Sequence, residues 1–192
     1  MIRVVDVGFG VTPMFKRLFD ILGALVGLAL ALPIMPLLAL GIKLDSPGPI
    51  LIAVPRVGKG GKIFAHYRLR TMAGEPLRKT RFGRFMGNRS LDDIPTLFNV
   101  LRGDLSLVGP RPEAPAKVDL TDPEWQTVLA VKPGLTGLGL LTFNERYNQT
   151  AVKTRIQPEI YYAEHSSLLF DLRLLGRTFV MWLKMGHIKG RM

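Results

Sequence analysis

The stretch ILGALVGLALALPIMPLLALGI, residues 21–42, decides the architecture: it holds no charged residue and is bracketed by Lys16 and Arg17 before it and Lys43 after it. As a straight helix it would reach about 33 Å, enough to cross the hydrocarbon core of a bilayer. Pro33 and Pro36 interrupt it. Each removes a backbone donor and crowds the preceding turn, so a bend is expected near Pro33. Cations flank the run and no second hydrophobic span brings the chain back, so both ends can stay on the cytoplasmic side if the helix enters and re-emerges. The pattern favours a re-entrant, broken helix. An ordinary kinked transmembrane helix is the alternative, since prolines are tolerated there. A cleavable signal peptide fits poorly, because the run starts late and ends in Lys43-Leu44-Asp45-Ser46-Pro47.

The chain has 192 residues, room for one domain with a buried core, with or without an anchor, but not for two catalytic domains. A formal charge of +11 and a pI near 10.3 call for a polyanionic partner: nucleic acid, an anionic bilayer surface or phosphorylated substrates. Charge alone does not choose among them. The absence of cysteine excludes disulfides, thiolate metal sites and a cysteine nucleophile, and fits a cytoplasmic setting.

Beyond the anchor, Ser46-Pro47-Gly48-Pro49 signals a turn, residues 50–54 read as a strand, and Gly58-Lys59-Gly60-Gly61 as the turn into a second strand carrying Ile63, Phe64, Tyr67 and Leu69. From Val54 to Arg89 a single acid, Glu75, stands against ten lysines and arginines, among them Arg56, Lys59, Arg68 and Arg89. Some of these are expected on substrate phosphates, Lys59 and Arg89 among them, and the rest at lipid headgroups. Near the C-terminus Leu168, Leu169, Leu172, Leu175, Phe179 and Trp182 alternate with Arg173, Arg177 and Lys184, which suits an amphipathic helix at a bilayer interface or a plain core helix. His66, His165 and His187 have no metal-ligand spacing and read as surface histidines.

Ser90-Leu91-Asp92-Asp93-Ile94-Pro95 has the spacing of a capping box, with the apolar period of Ile94, Leu97, Phe98 and Leu101 after it and a stop at Gly103. The acid pair is therefore expected in the first turn of a helix, where free N–H groups favour carboxylates and phosphate oxygens. On spacing alone the two acids are either capping residues or a nucleophile and Mg²⁺ ligand.

The string from Ser90 to Pro112, through Asn99-Val100-Leu101-Arg102-Gly103-Asp104 and Gly109-Pro110-Arg111-Pro112, resembles the signature of the bacterial sugar transferase family, monotopic phosphoglycosyl transferases that start glycan assembly on polyprenyl phosphate. The resemblance extends to Lys16-Arg17-Leu18-Phe19-Asp20, Asp45 to Pro49, Arg56-Val57-Gly58, Tyr67 to Met72, Lys132 to Gly137 and Asp171-Leu172. It implies that Asp92 is a nucleophile forming an aspartyl phosphosugar, that Asp93 holds Mg²⁺, and that Arg111 binds phosphate. A salt bridge from Arg111 to Glu113 is its plainer role. Three positions depart from the family pattern: Asp-Asp replaces Asp-Glu, Gly87 stands where an arginine is common, with Arg89 two residues on, and Leu32-Pro33 replaces Ser-Pro at the kink.

The expected fold is α+β and mainly helical: an N-terminal extension (1–14), a re-entrant membrane helix (15–45), and a cytoplasmic-face catalytic domain (46–192) with a β-hairpin and interfacial amphipathic helices. The expected partners are a UDP-sugar, polyprenyl (undecaprenyl) phosphate and anionic lipids of the bacterial inner membrane, with Mg²⁺ as cofactor, no nucleic acid, and a homodimer left open. The rivals are a membrane-tethered basic binding protein and a diphosphate hydrolase.

Overall fold

The computed structural model describes residues 13–188, so most of the expected N-terminal extension lies outside it. The apolar run forms two helices, α1 (Pro13–Ala31) and α2 (Met35–Asp45). The α1 ladder ends where Leu32 N–H donates to Leu28 O at 2.8 Å; Pro33 then has no N–H to give, and the chain turns through Ile34 N–H to Ala31 O at 2.9 Å. Pro36 falls in the first turn of α2, where an N–H would lack an intrahelical acceptor anyway. The halves meet at a 63° bend, and no single helix among the described residues is long and apolar enough to cross a membrane. The bend thus falls where the sequence predicts it. Leu22, Leu25, Leu30, Leu32, Leu37 and Leu40 leave both halves with exposed apolar surface.

Polar residues at each end fasten this bent pair to the rest of the chain. Buried Asp20 accepts from Ser106 Oγ and Leu107 N–H, both at 2.9 Å. Lys16 pairs with Asp171, which also accepts the Tyr162 hydroxyl at 2.6 Å. Arg17 donates to the carbonyls of Val100 and Leu101 at 2.6 Å each, placing a cation on the negative end of a later helix. At the exit of α2, Arg70 donates to the Pro47, Ser46 and Ile42 carbonyls.

The hairpin is as expected. Strands β1 (Leu51–Val57) and β2 (Ile63–Leu69) pair antiparallel, with Arg56 opposite Phe64 and Ile52 opposite Arg68. A two-residue ladder of β3 (Met72–Ala73) and β4 (Arg78–Lys79) follows, and α3 (Arg81–Asn88) starts on a Thr80 cap. Then comes α4 (Thr96–Arg102). The side chain of Asn99 clips α4 to β2, giving its Nδ2–H to Ala65 O at 2.7 Å and accepting Tyr67 N–H at 3.0 Å. Thr96 adds a bond to Tyr67 O at 3.1 Å.

Strand β5 (Ser106–Val108) runs parallel to β6 (Gly134–Thr136), with the short helix α5 (Pro123–Leu129) between them in the chain. Gly109 and Gly134 let the two backbones cross in direct contact, because a Cβ on either would strike main-chain atoms of the other segment. Helices α6 (Leu138–Phe143), α7 (Val152–His165) and α8 (Leu168–Ile188) complete the chain. The main core joins Ala24 of α1, Phe64 of β2, Leu97 and Val100 of α4, Val108 of β5, Tyr162 of α7 and Leu174 of α8. Helix α8 buries Leu174 but exposes Leu169, Leu172, Phe179 and Trp182, the amphipathic pattern expected.

Candidate active site

The acid pair does not sit in the first turn of an α-helix. Residues Leu91–Asp93 form a 3-10 turn, α4 begins only at Thr96, and Ser90 lies in the left-handed region at φ 54° with no side-chain capping bond. A capping serine needs extended backbone; the left-handed turn takes that geometry away and aims both carboxylates back at the hairpin instead.

There Arg68 of β2 meets them. Its Nε donates to Asp93 Oδ1 at 2.6 Å and its Nη2 to Asp92 Oδ2 at 2.7 Å. The two clips from α4 to β2 fix this meeting, since Thr96 and Asn99 bond to the β2 backbone beside Arg68. Asp92 is buried, and burial first, then the charge of Asp93, push its carboxyl above the ordinary range while Arg68 pulls it down. Burial alone would lower the Arg68 pKa; the two carboxylates outweigh it and hold the guanidinium above its usual value.

A cleft opens beside the pair, lined on the hairpin side by Arg56, His66, Arg68 and Asp93, and on the far side by Arg111, Gly137, Leu140 and Glu159. Asp93 thus faces the cleft. Asp92 lies beneath it, outside the lining. Arg111 reaches the cleft as the Gly-Pro-Arg-Pro turn predicts, and Glu113 pairs not with it but with Arg155, at 3.0 Å. Arg89 and Lys59, the other expected phosphate ligands, are exposed and outside the lining. Arg89 stacks on Phe85 at 4.2 Å at the end of α3, and Lys59 sits in the hairpin turn, whose tip leads away from the carboxylates. In this arrangement Arg89 lies outside the cleft lining, and a Cβ at Gly87 would meet nothing within 4 Å.

Besides Arg56, three lining groups lie outside the set expected from the sequence. His66 is buried, not a surface residue, and burial lowers its pKa to about 4. Arg68 was one cation among ten. The period-2 alternation of Phe64, His66 and Arg68 on one face of β2 would have singled out both. Glu159 is also buried, and burial raises its carboxyl to about 7. Its signal was a carboxylate in the buried stripe of α7, spaced three residues from both Ile156 and Tyr162. His165 is exposed as expected, and the side chain of His187 lies outside the described residues.

Residues 11–185 match the bacterial sugar transferase family. The chain belongs to that family. Among its relatives, UDP-glucose:undecaprenyl-phosphate glucose-1-phosphate transferase of Caulobacter vibrioides is 40% identical over 181 residues, covering 85% of this chain and 67% of the relative. UDP-N-acetylgalactosamine-undecaprenyl-phosphate N-acetylgalactosaminephosphotransferase of Aeromonas hydrophila is 34% identical, covering 85% of this chain and 42% of the relative. The exopolysaccharide production protein PSS of Rhizobium leguminosarum bv. phaseoli is 34% identical, covering 90% and 97%. The chain therefore spans about two thirds of the first of these and less than half of the second.

Among the described residues of this family member, no group of three or more histidine and acidic side chains could cage a metal. The donor set still fits Mg²⁺, which is commonly held by one or two carboxylates together with substrate phosphates and water. Asp93, half-exposed at the cleft and bonded to Arg68 through Oδ1, supplies such a carboxylate.

Proposed function

We propose that the chain transfers a phosphosugar from a UDP-sugar to polyprenyl (undecaprenyl) phosphate, giving polyprenyl diphosphate sugar and UMP, as a first step of glycoconjugate or exopolysaccharide synthesis. The observation that carries the reading is Arg68 bridging Asp92 and Asp93 at the edge of a cleft that also presents Arg56 and Arg111. Three guanidinium groups suit a diphosphate, and a basic binding protein would have no use for two carboxylates among them.

In this reading Arg56 and Arg111 hold the diphosphate, and its oxygens compete for Arg68, releasing the buried Asp92 carboxylate. An Asp92 oxygen attacks the phosphorus bearing the sugar, the P–O bond to UMP breaks, and the bonding pair leaves on UMP. A polyprenyl phosphate oxygen then attacks the same phosphorus and returns the electron pair to Asp92. Mg²⁺ held by Asp93 would neutralise charge on the phosphates. The bent α1–α2 pair, its leucines outward, is the re-entrant anchor at the cytoplasmic face of the inner membrane, and exposed Trp182 and Phe179 of α8 suit the headgroup layer.

The test is UMP release from a panel of UDP-sugars by the detergent-solubilised chain. Multiple turnovers should require both Mg²⁺ and polyprenyl phosphate. Sustained release without the lipid would make it a hydrolase, and no release from any donor would leave a binding protein.

A further inference from the structure

Three residues lining the cleft carry a buried polar atom with no partner among the described residues: Arg56 Nε, His66 Nδ1 and Glu159 Oε2. The first is a donor and suits phosphate. The other two accept, His66 as the neutral imidazole and Glu159 once ionised, above about pH 7. Thr96 Oγ1 donates to Tyr67 O, so it accepts from His66 Nε2 at 3.2 Å, which assigns the proton to Nε2 and leaves Nδ1 a bare lone pair. Glu159 is 3% exposed, and its Oε1 is already taken by Arg111 N–H at 3.3 Å and the Tyr147 hydroxyl at 3.2 Å. Tyr147 is itself held between the guanidiniums of Arg111 and Arg155, at 5.1 and 5.0 Å from its ring. The carboxyl is therefore fixed in orientation. Its free Oε2 lies toward the loop that lines the cleft, 3.9 Å from where a Cβ on Gly137 would stand.

A phosphate oxygen cannot satisfy an acceptor; only an O–H or N–H can. An unpaired buried carboxylate oxygen is costly, and a ligand that supplies the missing hydrogen bond recovers that cost on binding. We propose that Glu159 is a recognition residue for the nucleotide sugar, its Oε2 accepting a hydrogen bond from a hydroxyl or N–H that lies beyond the diphosphate. The inference rests on the donor class proposed above. Two parts of that donor carry such hydrogens, the transferred sugar and the uridine.

The experiment compares wild type with Glu159→Gln, both carrying Asp92→Asn so that no adduct forms, as the whole chain in detergent at about pH 8, where Glu159 is ionised, by equilibrium binding of the best-bound member of a UDP-sugar panel, UDP and inorganic diphosphate. In the variant the single amide oxygen stays with Tyr147 and Arg111, and an NH₂ replaces the free acceptor. Binding of the UDP-sugar should weaken by about tenfold or more, as expected for a lost hydrogen bond to a charged group, while inorganic diphosphate binds as before. Weakening confined to the UDP-sugar would assign the contact to the sugar, and equal weakening of UDP would assign it to the uridine; either supports the proposal. Unchanged binding of the UDP-sugar would overturn it, as would an equal loss of inorganic diphosphate, which would mean that Glu159 acts only by holding Arg111. A wild type that binds inorganic diphosphate but no UDP-sugar would instead refute the donor class itself.

Discussion

At one end of the cleft two acids adjacent in sequence share one arginine, with the side chains of Arg68 and Asp93 28% and 31% exposed. At the other end Glu113 and Glu159, from separate elements, share Tyr147, and Glu113 pairs with Arg155, the two side chains only 7% and 4% exposed. The first arrangement stands near water and can trade a carboxylate for a phosphate at modest cost. The second is sealed. The Glu113 and Arg155 charges are committed to each other, so this pair serves as the wall behind Tyr147, Arg111 and Glu159 rather than as a group that changes partners, while Glu159 Oε2 stays free.

Removing the cation from each end separates the two roles. Arg155→Met leaves Glu113 buried without its counter-charge and should cost roughly 3–5 kcal/mol of stability, read as a large drop in the unfolding midpoint. Arg68→Met should cost less stability, because Arg68 itself and its partner Asp93 are closer to solvent, yet abolish UMP release. Equal stability losses would erase the distinction between an exchanging end and a locked one.

A pH series sharpens the same contrast through the two buried groups whose pKa values move in opposite directions. The folded state holds the Glu159 proton more tightly than the unfolded chain, so this group's contribution to stability falls as pH rises from about 4.5 to about 7. The folded state resists protonating His66, so its contribution falls as pH drops from about 6.5 to about 4. Each term is about 3 kcal/mol at full extent by the free energy of a pKa unit, and between pH 4.5 and 6.5 they oppose. Relative to wild type, Glu159→Gln should therefore gain stability with rising pH across this window and His66→Gln should lose it. Denaturant titrations at several pH values would show the opposed slopes, and parallel curves for all three proteins would contradict them. The smallest effect is expected from Asp93→Glu, which lengthens the carboxylate to the family's usual form: turnover persists and only its Mg²⁺ dependence shifts.

The contrast also explains what could be read from the sequence. The bend at Pro33, the hairpin and the carboxylate pair are local features, each set by a proline, a glycine turn or two adjacent acids, and each was legible. Arg111 was legible because its turn is contiguous. The error at Ser90 came from a spacing that suits a capping box while the backbone takes a left-handed turn, which no side-chain pattern there announces. Arg68 reaches Asp92 from 24 positions away, because Asn99 and Thr96 clip α4 onto β2. Glu159 approaches Arg111 across 48 positions. Alternation along β2 and the buried stripe of α7 marked those residues as turned inward, but which inward residues meet is a property of packing, and the exposed settings of Lys59 and Arg89 follow from the same packing.

Asp92 is the centre of the proposed chemistry. Incubating the wild-type chain with a donor UDP-sugar and Mg²⁺, without polyprenyl phosphate, then quenching rapidly and measuring the intact protein mass should show a phosphosugar adduct with release of UMP, mapped by peptide analysis to Asp92 and missing from Asp92→Asn. Robust lipid product from Asp92→Asn, or an adduct mapped to Asp93 or any other residue, would contradict it.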